Sequence, residues 1–219
     1  MSVSNQIETL YEAMLSALGP SYWWPGESPL EIAVGAVLTQ NTNWSNVEKA
    51  MDRLKQSRLL DCEALSNVSL AELSEIIRPA GYHNIKAKRL KNLISWLREF
   101  DCDFESIGKK DVYEVRSSLL NVNGVGPETA DSIILYAMNM PTFVVDAYTA
   151  RIFHRHGLIH EDVDYHELQS LCVDALPEDV AVYNECHALI VRIGKEWCKK
   201  KAGLCGVCPL SPLLPHEVS

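Results

Sequence analysis

The segment Leu119-Leu-Asn-Val-Asn-Gly124-Val-Gly126-Pro-Glu-Thr-Ala-Asp-Ser-Ile-Ile-Leu135 carries the densest chemical signal in the 219-residue chain. Glycines two apart allow a tight turn between two helices, and Pro127 suits the first position of the second helix, where its missing N–H costs no bond. At Gly124 and Gly126 the bare backbone can come close to a ligand, and the open amides of a helix start favour a phosphate. A glycine-rich turn in any helical hairpin reads the same way, so the turn alone does not decide. Beyond it, Val144-Val145-Asp146 puts a carboxylate at the head of another helix, where an N-cap needs only an oxygen and asparagine or serine would serve. Three of the seven cysteines, Cys198, Cys205 and Cys208, cluster near the C-terminus. Three thiolates with one further ligand could hold zinc.

Helices must position these groups. Ile7, Leu10, Tyr11, Met14, Leu15 and Leu18 fall at helical spacing, closed by Gly19-Pro20. Pro29 opens the apolar run to Leu38, and further helices are expected over 46–54, 69–77 (with a Ser69–Glu72 capping box), 85–100, 111–120, 127–138, 147–155, 164–176 and 180–198. Only 141–145 reads as a short β-like run. The expectation is an all-α chain of about ten helices joined by short connections.

Hydrophobic residues at 47% and charged residues at 22% exclude a disordered or fibrous chain. The net charge of −9 weighs against a nucleic-acid partner, since phosphate binding needs cationic surface. The charge is uneven, however. Seven basic against four acidic residues in 81–110, with Lys86, Lys88, Arg89 and Lys91 close together, and five against two in 192–219, make two basic islands in an acidic chain. The N-terminal stretch lacks a basic start and an unbroken apolar core, and no run reaches the ~18 apolar residues of a membrane span. With an odd cysteine count, a cytoplasmic protein with reduced thiols is expected.

Together, the hairpin and Val145-Asp146 resemble the helix-hairpin-helix DNA glycosylase superfamily, the family of endonuclease III. That resemblance implies a two-lobed all-α fold, with a helical barrel over 29–138 holding the hairpin (119–138). A second lobe would join 1–28 to 139–219, with the cysteine loop (198–208), and damaged double-stranded DNA would lie in the cleft between them. Asp146 would then be catalytic, because breaking an N-glycosidic bond develops an oxocarbenium-like sugar that an anion stabilises. Bifunctional members place a nucleophilic lysine after the hairpin, whereas this chain has Glu128, so hydrolysis without strand cutting is expected. The motifs Tyr22-Trp23-Trp24-Pro25 and Thr39-Gln40-Asn-Thr-Asn-Trp44 narrow the resemblance to the 3-methyladenine DNA glycosylase III group. It implies a base pocket of Trp23, Trp24, Pro25, Trp44 and Glu128, where aromatic faces suit a cationic alkylated purine.

Carried over in the same way, Gln40 would fill the gap left by the flipped nucleotide, and Tyr82 in the Gly81–Ala87 loop would wedge the opposite strand. Asn84, Lys86, Gly124 and Gly126 complete the DNA-gripping set, and the carbonyls of Leu120, Val122 and Val125 match a main-chain alkali-metal site. Cys198-x6-Cys205-x2-Cys208 reproduces three ligands of the endonuclease III [4Fe–4S] loop, but the fourth position is Leu214. Cys186 lies roughly 18 Å along a helix from Cys198 and is a poor substitute. The cofactor therefore stands between a cluster with a non-cysteine ligand, a labile cluster, zinc, or none. Two rivals follow for function. A mismatch adenine glycosylase would carry a glutamate where Ala36 stands, and a non-catalytic damaged-DNA-binding protein would have no need of Asp146. The expected assembly is a monomer with no membrane contact.

Overall fold

The computed structural model describes residues 2–23 and 26–215. Among these residues it is all-helical, with no strand. Contacts divide the chain into two units, Trp24–Met140, and Met1–Trp23 with Pro141–Ser219. The reading from sequence drew the divisions at 28/29 and 138/139.

The central unit is organised by α2 (Pro29–Leu38), whose Ile32, Ala33, Val34, Gly35, Val37 and Leu38 are all buried. A helix apolar on most sides must sit inside its unit. The same unit holds α3 (Trp44–Gln56), α4 (Cys62–Asn67), α5 (Leu70–Ile76), α6 (His83–Arg98), α7 (Phe104–Ile107), α8 (Val112–Leu120) and α9 (Pro127–Ser132), of which α3, α6 and α9 pack on α2. Short polar side chains start most of them: Ser28, Asn43, Asp61, Ser69, Asp103 and Asp111 each accept a first-turn amide. The helix expected over 127–138 changes character halfway. After Ser132 the chain widens into a π-helix, Ile133–Ala137, with all five residues buried. Such widenings recur at functional sites.

One cysteine expectation is corrected in this unit. Cys62 and Cys102 form a disulfide with a Cα–Cα distance of 6.6 Å, where reduced thiols were expected. The partners are 40 residues apart, and the packing of α4 on α6 brings them together. Sequence spacing alone does not specify such a pair.

The second unit packs α1 (Val3–Leu18) on α11 (Tyr165–Ala175) and α12 (Val180–Glu196), and α10 (Ala147–Arg155) on α12. Gly194 makes the last contact possible, since a Cβ there would sit 2.1 Å from the Tyr148 ring. The β-like run 141–145 forms no strand. Its apolar character reflects burial instead: Phe143, Val144 and Val145 are buried, and Gln169 Nε2 donates to the Phe143 carbonyl at 2.7 Å. After α12 the chain forms two 3-10 turns, Cys205–Val207 and Ser211–Leu213. No helix among the described residues is long and apolar enough to cross a membrane.

Candidate active site

Asp146 is the N-cap of α10, and its two oxygens have different surroundings. Oδ1 accepts the amides of Tyr148 (2.9 Å) and Thr149 (2.8 Å) and the Thr149 hydroxyl (3.0 Å). The Asp146 amide in turn donates to Thr149 Oγ1, which closes a reciprocal capping box. Oδ2 faces His187 Nε2 of α12 at 3.7 Å. Burial pushes this carboxyl up, but His187 and the two Thr149 bonds outweigh it and hold the group below its ordinary value. Asp146 is therefore a fixed carboxylate with one oxygen engaged in the cap and the other turned away from it. Thr149 had a local signal in the sequence, three residues after the cap. His187 had none, because it reaches Asp146 only through helix packing.

In the central unit the hairpin is braced by Arg116 of α8, whose Nε and Nη2 donate to the two oxygens of Asp131 on α9 at 2.7 and 3.0 Å. Asp131 is wholly buried. Gly124 has φ +97°, and a Cβ there would lie 2.2 Å from Arg89 Cγ, so both conformation and space call for glycine. Gly126 caps α9 without a side chain. Gln40 joins this assembly: its Nε2 donates to the Gly124 carbonyl (3.0 Å) and Thr129 Oγ1 (2.9 Å), while Oε1 accepts from Arg89. The side chain expected in the DNA is thus tied to the hairpin turn. Glu128 is exposed in the first turn of α9, and Trp44 is half-buried at the start of α3. Of the three carbonyls matched to an alkali-metal site, that of Val122 accepts the Val125 amide at 3.0 Å.

Tyr82 is 67% exposed and holds a left-handed backbone, φ 46°, just before α6. A bulky residue in that region is strained and projects from its turn. Asn84 is exposed and accepts from the Ser74 hydroxyl at 2.7 Å. Lys86 is a correction. It was expected among the DNA contacts, but it is 1% exposed and its ammonium donates to the carbonyls of Leu38 (2.7 Å) and Ala80 (2.8 Å). Burial, with Arg89 nearby, lowers its pKa to about 8. Lys91 likewise donates to the Ser66 and Val68 carbonyls. Lys88 remains exposed in this first basic island. An amphipathic count of charges does not distinguish a solvated lysine from one that caps carbonyls inside the protein.

Trp23 belongs to the other unit and is 38% exposed. Trp24 and Pro25, also expected at the base pocket, lie outside the described residues.

The cysteine loop closes over a small open pocket in the second unit. Cys198, Cys205, Cys208, Arg155, His156 and Leu214 are among its lining residues. Burial pushes the Cys208 thiol up, and the sulfurs of Cys198 and Cys205 add to it. Gly203 gives the loop clearance, since a Cβ there would sit 3.0 Å from Cys205 Sγ and 3.1 Å from Arg155 Nη1. Among the described residues no three His, Cys, Asp or Glu side chains converge tightly enough for a single metal ion. The three thiols on one pocket wall are the donor type that an iron–sulfur cluster uses. Cys186 is buried within α12.

Residues 34–178 match the HhH-GPD superfamily of base excision DNA repair proteins, and the chain belongs to that family. It is a DNA N-glycosylase of base excision repair. A protein of Methanocaldococcus jannaschii, provisionally named a DNA repair glycosylase, is 48% identical over 94% of each chain. The structure of Helicobacter pylori 3-methyladenine DNA glycosylase bound to 1,N6-ethenoadenine aligns with a TM-score of 0.75 and 28% identity, covering 90% of this chain and 98% of that one. An endonuclease III–DNA complex shares the fold with a TM-score of 0.82 and 23% identity, over 98% and 96% of the two chains.

Proposed function

We propose that the enzyme is monofunctional and hydrolyses the N-glycosidic bond of an alkylated purine, of the 3-methyladenine kind, without cutting the strand. The observation that carries this reading is the fixed carboxylate at Asp146, and the sequence adds that position 128, after the hairpin, is a glutamate and not an amine. A purine alkylated on a ring nitrogen is already cationic, so it leaves as a neutral base with the bonding electron pair. The site must then stabilise the positive sugar and accept one proton from the attacking water. The Asp146 oxygen outside the cap can do both, and the His187 imidazole beside it keeps the carboxyl ionised. A strand-cutting variant of the chemistry needs an amine to form a Schiff base. The groups holding Asp146 within its unit are the Tyr148 amide, Thr149 and His187, and none supplies one.

Trp44, Trp23 and Glu128 are proposed to recognise the base, since an aromatic face and a carboxylate each favour a positive ring. The same preference extends to the DNA: Tyr82, already projecting, wedges the strand, and Gln40 enters the vacated stack by leaving its bonds to Gly124 and Thr129. The bare turn at Gly124 and Gly126 would meet the phosphate backbone, with the Leu120, Val122 and Val125 carbonyls offering an alkali-metal ion a main-chain site. The pocket of Cys198, Cys205 and Cys208 is proposed to hold a [4Fe–4S] cluster, which when bound supplies a rigid core for the loop bearing Lys199–Lys201. The chain's ligand-free work there is to present those lysines to DNA.

The test is incubation with duplex DNA carrying 3-methyladenine. Wild type is expected to release free base, to leave the abasic strand intact and to form no covalent adduct under borohydride. Asp146→Asn keeps the Oδ1 bonds of the cap but replaces the charged oxygen with an amide. Base release is expected to fall by about 10²-fold or more, with melting temperature nearly unchanged. A borohydride-trapped adduct would overturn the monofunctional reading, and release from oxidised but not alkylated bases would overturn the substrate.

A further inference from the structure

We propose that His156 is the fourth ligand of the cluster pocket, taking the place of the cysteine that Leu214 replaces. Three observations converge on it. First, His156 lines the same pocket as Cys198, Cys205, Cys208 and Leu214. Second, its Nδ1 lies 3.2 Å from the carbonyl of Leu213. A carbonyl only accepts, so that nitrogen carries the hydrogen and Nε2 keeps its lone pair, which is the form of imidazole that binds a metal. Third, the bond is made to the residue next to Leu214. The segment that lost a thiolate is therefore the one that orients the imidazole, and the orienting bond is the outer-shell partner that metal-bound histidines commonly have.

The surroundings suit a cluster carrying negative charge. Arg155, adjacent to His156 at the end of α10, donates from Nη1 to Cys198 Sγ at 3.1 Å and from Nη2 to the Lys200 carbonyl at 3.3 Å. A guanidinium on a ligand sulfur stabilises thiolate charge and raises a cluster's reduction potential. Leu210, Ile152 and Ile193 supply the apolar wall. The ligand set is thus Cys198, Cys205, Cys208 and His156, with one iron of the cubane on nitrogen. This assignment concerns the loop alone and stands whichever base the enzyme removes.

The test is anaerobic reconstitution of the full chain with iron and sulfide, followed by metal analysis and spectroscopy. Wild type is expected to take up about four irons per chain and to show broad visible absorbance. Pulsed EPR of the reduced cluster is expected to show a strongly coupled histidine nitrogen. In His156→Ala that coupling disappears and the iron content falls towards three per chain, with an oxidised three-iron EPR signal. Because His156→Ala could unsettle the loop, Leu214→Cys in the same background provides the second arm. It is expected to restore four irons without restoring the nitrogen coupling. A wild type that stays colourless, or that binds a single zinc, overturns the proposal. Unchanged iron content and nitrogen coupling in His156→Ala overturn it equally.

Discussion

At the scale of single residues, the decisive asymmetry is between the two oxygens of Asp146. Because one is committed to the start of α10, the carboxylate cannot rotate, and His187 acts on the other from a different helix. The pH dependence follows from that arrangement. Asp146 is held below its ordinary value, so it stays ionised well into the acid range, and removing His187 takes away a stabilising neighbour while burial remains. His187→Gln is expected to raise the carboxyl's pKa. The acid limb of the pH–rate profile for base release would then move to higher pH, with little change on the alkaline side. A profile that falls uniformly without moving would assign His187 a packing role only. Asp146 was legible in the sequence because its cap, its Val-Val lead-in and its distance from the hairpin are all local. His187 and His156 were not, since each meets its partner through helix packing or a loop fold that no short pattern encodes.

At the scale of elements, the hairpin depends on a contact that the glycine pattern does not announce. The Arg116–Asp131 pair joins α8 to α9 with two parallel bonds, and Asp131 has no exposure. Truncating one partner leaves a buried charge uncompensated, which costs about 3–5 kcal/mol. Asp131→Ala is therefore expected to lower unfolding free energy by that order in denaturant titrations. Replacing both residues with apolar ones is expected to recover part of the loss. The tight turn was legible from the glycines, but Gly124 makes room for a protein side chain, Arg89, and nothing lies within 4 Å of a Cβ placed at Gly126. The π-helix after Ser132 was hidden for a different reason: five buried apolar residues satisfy a regular helix and a widened one equally well.

For the molecule as a whole, the charge pattern required the largest revision. Part of the 81–110 island is internal, with Lys86 and Lys91 on carbonyls and Arg89 on Gln40, so its local excess overstates the cation offered to DNA. The disulfide was equally invisible to composition. It closes a 40-residue separation across α4 and α6, and in the chain-entropy account such a loop is worth about 4 kcal/mol. Reduction, or a Cys62→Ser/Cys102→Ser variant, is expected to lower the denaturant midpoint of the central unit without altering the spectrum of a reconstituted cysteine loop. An unchanged midpoint would show that the packing of α4 on α6 suffices alone. Lys86 has one more consequence. Its single ammonium grips the carbonyls two residues upstream of Gln40 and two upstream of Tyr82. In the proposal that Gln40 and Tyr82 both enter the duplex, those two points must keep a set spacing along its axis, and this buried cation is the gauge block between them.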